Sequence, residues 1–257
     1  FGAVYTLATT ASALTLVWLG KLADRFDLVH LGAATVAALA LTCALAMAGV
    51  RSLPMLVVAI FLLRLAGQGM LSHLAMTAMG RWFSAERGRA LSVAIMGFTA
   101  GEAFLPFVVA TLLLTLDSWR EVWLLTAGTL AVVFLPAVLW LGREVRRRGL
   151  DRPFAPSRAA DLPVTASWTR AEVLRDGRFF LLLPGVLAPP FIITGVLFHQ
   201  VHLAASKGWS LQTFAATYPL FAGASTAVVL GLGGLVDRFG ARRILPFYLL
   251  PISAGLL

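Results

Sequence analysis

An all-α membrane protein with about eight transmembrane helices is predicted by three observations: a very apolar composition, apolar runs of bilayer-crossing length, and basic residues gathered on alternate connections. Of the 257 residues, 59% are apolar and only 13% are charged, against about half and about a quarter in a soluble domain. A water-soluble fold has no interior large enough to hide that much apolar surface, so lipid must cover the remainder.

A hydrocarbon core about 30 Å thick takes about 20 helical residues to cross. Eight runs of that kind, bounded by charge, cover approximately 1 to 20, 28 to 50, 53 to 80, 90 to 116, 121 to 142, 179 to 204, 211 to 236, and 244 onward, the last incomplete. The connections after the first, third, fifth and seventh runs hold 17 Lys and Arg residues, and the others hold three, Arg51, Arg120 and Lys207. The positive-inside bias makes the first side cytoplasmic. The same distribution accounts for the net charge of +9, so nucleic acid is not an expected partner.

Cys43 is the single cysteine and lies within an apolar run, which leaves no internal disulfide. No Asn occurs, so there is no N-glycosylation sequon. Arg outnumbers Lys 19 to 2, a bias that suits a GC-rich bacterial genome and hence a bacterial inner membrane. The chain begins at Phe1 inside one apolar run and ends at Leu257 inside another, so both ends read as cut. No cleavable signal peptide is legible.

Residues 143 to 178 form the one long connection, opened by an Arg cluster and interrupted by Pro153, Pro156 and Pro163. The expected organisation is therefore an N-terminal helix bundle over 1–142, a cytoplasmic linker over 143–178, and the start of a C-terminal bundle over 179–257. Trp168 to Asp176 reads as an amphipathic helix at the membrane surface.

A repeat marks both parts. Gly20-Lys21-Leu22-Ala23-Asp24-Arg25-Phe26-Asp27 follows the first run, and Gly233-Gly234-Leu235-Val236-Asp237-Arg238-Phe239-Gly240-Ala241-Arg242-Arg243 follows the seventh, at an offset of 213 residues. Gly, Leu, Asp, Arg and Phe coincide in register. One such match arises easily by chance, but two in equivalent loops indicate a transporter built from repeated bundles.

These two loops resemble the signature between the second and third helices of each half of the major facilitator superfamily, and the resemblance covers the whole chain. It implies two pseudo-symmetric six-helix bundles that rock about a central site, with this chain spanning family helices two to nine and lacking the first and the last three. It further implies a cytoplasmic gate, carried here by Gly20, Asp24, Arg25, Gly233, Asp237, Arg238, Gly240, Arg242 and Arg243, in which charges at helix ends pair in one conformation and part in the other. Ser84-Ala85-Glu86-Arg87-Gly88-Arg89-Ala90 resembles the family's acidic-Arg-Gly loop on the same face, and Glu86 is expected to pair with Arg25. The first copy departs from the family pattern: Asp27-Leu28-Val29-His30 stands where Gly and basic residues are usual.

Two ionisable residues lie deep within runs. Arg64 precedes Arg81 by 17 residues and Glu102 follows Arg89 by 13, which puts them roughly 25 and 20 Å from the cytoplasmic ends. Buried charge is costly in lipid, so both are candidates for substrate or proton contact, with a static Arg64–Glu102 ion pair as the structural alternative. Gln68 and Ser72 follow Arg64 at steps of four along one stripe, while His73, nine residues on, projects about 180° away and is expected to pack or to bond another helix. Gly97 and Gly101 are expected to allow close helix approach.

The pattern from Gly97 through Gly101 to Pro106, with Arg81-Trp82-Phe83 upstream, also resembles the monocarboxylate and oxalate/formate branch of the superfamily. That branch commonly carries a charge within its eighth helix, and residues 211 to 236 have none. His199, Gln200 and His202, at the far end of a run loosened by Pro184, Pro189 and Pro190, are candidates for an outer gate. Two histidines are too few for a metal site, so neither metal nor cofactor is expected.

The resulting expectation is a monomeric secondary transporter, moving a small organic anion met by Arg64 and Gln68, with Glu102 modulating or carrying a proton. The rival within the class is an exporter of amphipathic or cationic compounds centred on Glu102. A receptor or membrane-embedded enzyme on the same scaffold is the rival from another class, and no nucleophile, base or metal constellation supports it.

Overall fold

The computed structural model describes residues 2–83, 87–149, 170–210 and 217–256. Helices joined by turns make up these residues, with no strand among them. Seven helices are long and apolar enough to cross a bilayer, and they serve here as the first to seventh spans: Gly2–Arg25, Leu28–Met47, Leu53–Trp82, Gly88–Thr115, Trp119–Arg147, Gly177–Val196 and Pro219–Phe239. The incomplete eighth run forms three short pieces, Ala241–Ile244, a 3-10 turn over Leu245–Phe247, and Leu250–Leu256. Pro246 and Pro251 stand in that stretch, where a missing N–H breaks the helical ladder.

The chain divides into two compact units, Phe1–Ala155 and Pro156–Leu257. In the first unit, the third span packs against the first and second, the second against the fifth, and the fourth touches the third and fifth. Large apolar side chains such as Leu114, Phe107 and Trp140 are exposed, as lipid-facing positions require. The buried residues are mostly small or β-branched: Ala8, Ala23, Ala33, Val36, Ala40, Ala59. With no hydrophobic force between helices in lipid, such residues let backbones approach and gain dispersion contacts.

Hydroxyls within the spans are satisfied locally. Thr15, Thr35, Thr42 and Thr126 each donate to the carbonyl four residues earlier, at 2.7 to 2.8 Å, which keeps a polar group in lipid without an interhelical partner.

Three spans of the first unit contain π-helical turns, over Thr42–Met47, Arg64–Leu71 and Leu130–Phe134. These turns lie in the second, third and fifth spans, and the second span packs against both of the others. Two glycines of the middle turn receive neighbouring side chains. A Cβ at Gly69 would lie 3.2 Å from Leu16 of the first span, and one at Gly67 would lie 3.5 Å from Leu39 of the second.

The second and fifth spans meet along a stripe of four-residue steps. Gly32 faces Val138, a Cβ added at Gly142 would overlap the Val29 side chain, and Asp27 receives Arg146. The close helix approach expected at Gly97 and Gly101 is not formed among the described residues: none of them lies within 4 Å of a Cβ at Gly97, and Gly101 meets only Leu105 of its own helix. Gly142 makes that approach instead.

In the second unit, Asp176 caps the sixth span by accepting from Arg178 N at 2.8 Å. The helix Gly177–Phe198 runs through Pro184, Pro189 and Pro190 and ends at His199, after which Gln200–Ser206 forms a further short helix. Of the expected surface helix, Arg170–Arg175 is formed, and Trp168 and Thr169 lie outside the described residues.

Candidate functional site

The loop at Gly20 to Asp27 sits on a small apolar core. Ala23, Leu28, Met70, Leu74 and Ala78 are buried together, with Leu16, Leu19 and Trp82 packed around them. Ala23 faces inward while Asp24 and Arg25 stay exposed, so the alternation within Leu-Ala-Asp-Arg divides core from charge. Four polar contacts, from the side chains of His73, Arg81 and Arg146, then tie the loop to its neighbours.

Gly20 O receives the imidazole Nε2 of His73, from the third span, at 3.1 Å. A Cβ at Gly20 would lie 3.4 Å from that nitrogen, so glycine leaves room for the imidazole to reach a carbonyl at the end of the first span. At the end of the third span, Arg81 donates through Nη1 to Ala23 O at 2.9 Å and through Nη2 to Asp24 Oδ1 at 2.7 Å. At the end of the loop, Arg146 of the fifth span donates to Asp27 Oδ1 at 3.1 Å. Asp27 also accepts from His30 N at 2.8 Å and so caps the second span.

The two copies of the motif turn by different means. In the first, Phe26 and Asp27 are extended, with φ of −112° and −60°, and the Asp27 carboxylate starts the next helix. In the second, Gly240 has φ of +80° and donates to Val236 O at 2.9 Å, ending the seventh span with a left-handed cap that favours glycine. The departure of the first copy from Gly is thus met by an Asp N-cap. Gly233 is buried, and Arg238 lies 5.3 Å from the centre of the Phe239 ring. Asp237 is exposed, and Arg242 and Arg243 fall in the short helix Ala241–Ile244.

Glu86 lies outside the described residues, and with it the expected Glu86–Arg25 pair; Arg87 opens the helix Arg87–Thr115.

Within the spans, Arg64 and Glu102 are not paired, and here the alternative of a static ion pair is corrected. Arg64 Nε donates to Thr9 Oγ1 at 3.3 Å and its Cζ lies 5.0 Å from the centre of the Tyr5 ring, both on the first span. Glu102 is exposed at the middle of the fourth span and joins no ion pair among the described residues. Packing explains the difference. The third span lies against the first through its π turn, and Arg64 opens that turn.

The same turn corrects the angle expected between Arg64 and His73. An i→i+5 turn takes in one extra residue without advancing the face, so nine positions cover the rotation of about eight α-helical ones, about 80° instead of 180°. Arg64 and His73 accordingly both reach the first span, at Thr9 and Gly20. Gln68, inside the turn, is exposed and Ser72 is half-buried.

At the far end of the sixth span, His199 and His202 are exposed and Gln200 is half-buried, with the His199 ring 5.7 Å from that of Phe198. No metal-binding group of three or more His, Cys, Asp or Glu residues occurs among the described residues.

Sequence reasoning missed Arg81, Arg146, Tyr5 and Thr9. Arg81 counted as a topology signal and as part of Arg81-Trp82-Phe83, Arg146 as a topology signal alone, and the four-residue spacing of Tyr5 and Thr9 on an apolar helix was the one available sign of a polar face.

The chain matches a family model described as Major Facilitator Superfamily over residues 1–257. No curated protein and no solved structure matches it.

Proposed function

The chain belongs to the major facilitator superfamily, a multi-pass integral membrane protein of a transporter family, and on that premise we propose that it moves a small organic anion of the monocarboxylate kind, with proton coupling, by alternating access. The observation that carries this reading is Arg64: a half-buried guanidinium well inside a membrane span, held by neutral partners, Thr9 and Tyr5, in place of a carboxylate. A cation kept at that depth without a counter-ion among the described residues favours an anion as its complement. Gln68 adds an exposed amide one turn away, and Glu102 supplies a carboxylate able to take up and release the coupled proton. The motif loops, in this reading, face the cytoplasm of a bacterial inner membrane, with Asp24, Arg25, Asp237, Arg238, Arg242 and Arg243 at the gate and His199, Gln200 and His202 at the opposite end.

Reconstituted liposomes test it. Uptake of labelled lactate, pyruvate and oxalate, with and without an imposed pH gradient, should depend on the gradient in wild type and disappear in Arg64→Ala. Normal uptake by Arg64→Ala would remove the anion reading.

A second reading rests on Glu102, whose carboxylate has no ion-pair partner among the described residues. It makes the chain a proton-coupled exporter of amphipathic cations. Loss of cation efflux in Glu102→Gln, with Arg64→Ala active, would favour it.

A further inference from the structure

The guanidinium of Arg64 is a planar fork of five N–H donors, one on Nε and four on Nη1 and Nη2. Nε is engaged by the Thr9 hydroxyl at 3.3 Å, and Cζ lies over the Tyr5 ring, 5.0 Å from its centre. Nη1 and Nη2 donate to no side chain or backbone group among the described residues. Tyr5 and Thr9 stand four positions apart in the first span, both half-buried, so one turn of helix supplies both restraints.

A guanidinium can take a carboxylate along an edge that includes Nε or along the edge formed by Nη1 and Nη2. Thr9 occupies the first kind of edge on its Nε side. Tyr5 closes its own side of the guanidinium to approach and holds the group by cation–π attraction, which strengthens as water is excluded. What remains is a fixed end-on fork with two parallel N–H directions.

We propose, resting on the anion-transport reading above, that Tyr5 and Thr9 are positioning residues that present only the Nη1 and Nη2 edge of Arg64, and that this edge selects a planar two-oxygen anion, a carboxylate held in bidentate fashion. Lys in place of Arg64 would supply the charge without the fork. Binding energy therefore depends on two uncharged residues that need not touch the substrate.

The full-length protein in liposomes is assayed for uptake of labelled lactate, pyruvate and oxalate, each separately, in wild type, Arg64→Ala, Thr9→Val, Thr9→Ser, Tyr5→Leu and Tyr5→Phe. Thr9→Val and Tyr5→Leu should raise KM by roughly fivefold for the transported carboxylate while leaving kcat within about twofold, the pattern of lost uniform binding. Thr9→Ser, which keeps the acceptor, and Tyr5→Phe, which keeps the ring, should retain the wild-type KM. If Arg64→Ala abolishes uptake while Thr9→Val and Tyr5→Leu keep the wild-type KM, the positioning role is overturned and the transport reading stands. Equal losses in the conservative and disruptive variants would mark a packing role only and overturn it as well. Absence of uptake of all three anions by wild type, or undiminished uptake by Arg64→Ala, would remove the transport reading and this proposal together.

Discussion

Arg81 joins two parts of the motif loop at once, donating to Asp24 Oδ1 at 2.7 Å and to Ala23 O at 2.9 Å. The two contacts differ in worth. Asp24 is 73% exposed, and an exposed ion pair contributes about 0.2 to 1 kcal/mol. Ala23 is 1% exposed, and a buried acceptor deprived of its donor costs about 1 to 3 kcal/mol. Asp24→Ala should therefore lower the thermal unfolding temperature slightly and Arg81→Ala substantially, measured on the purified protein in one detergent. Equal shifts would mean that the carbonyl contact contributes nothing.

The contact of Gly142 with Val29 makes a steric prediction. Gly142→Ala places a methyl within the Val29 side chain, and overpacking of this kind typically costs about 1 to 3 kcal/mol. Val29→Ala should recover part of the loss in the double variant, because the two residues touch and their effects are coupled. Additive losses, read from urea or thermal unfolding, would show that the helices had moved apart to accept the methyl.

The spans were legible because lipid burial demands long apolar runs, and the twin loops because Gly, Leu, Asp, Arg and Phe recur in register at Gly20 and Gly233. Individual contacts were not. Arg81 and Arg146 look like any other basic residue at a helix end until the Asp24 and Asp27 carboxylates are placed beside them. Gly97 and Gly101 carry the small-residue spacing without a neighbour, whereas Gly142 has the neighbour without the spacing. The position of Arg64 within a run was plain, but its partners depended on a π turn that no residue pattern marks. Rotation counted at 100° per residue therefore sent His73 to the wrong side.

The two motif copies should both lose by exchange at the turn residue, for different reasons. Gly240 has φ of +80°, where a side chain costs about 1 to 2 kcal/mol. Gly240→Ala should then destabilise the end of the seventh span. Asp27 has φ of −60° and caps the second span, so Asp27→Gly brings no relief of strain and loses the Arg146 pair. Its backbone effect is small, since glycine is itself a tolerable N-cap. Hydrogen exchange of the amides at His30 and Leu31 should accelerate in Asp27→Gly, and unchanged rates there would show that the cap carries no local stability.

A last expectation concerns the π turn over Arg64–Leu71. Because the turn absorbs one residue, removing a residue from within it should restore an α-helix whose two ends keep their facing. Deletion of Ala66 should thus leave His73 on Gly20 and Arg81 on Asp24, and the protein should remain monodisperse with a near-wild-type unfolding temperature. Deletion of Met76 is the contrasting case. It lies in the regular helix Ser72–Trp82, where loss of one residue rotates everything beyond it by about 100°. Arg81 would turn away from Asp24 and Ala23, leaving the Ala23 carbonyl buried without its donor. The Met76 deletion should therefore aggregate or unfold at markedly lower temperature, and equal behaviour of the two deletions would show that the π turn does not set the facing of the helix that follows it.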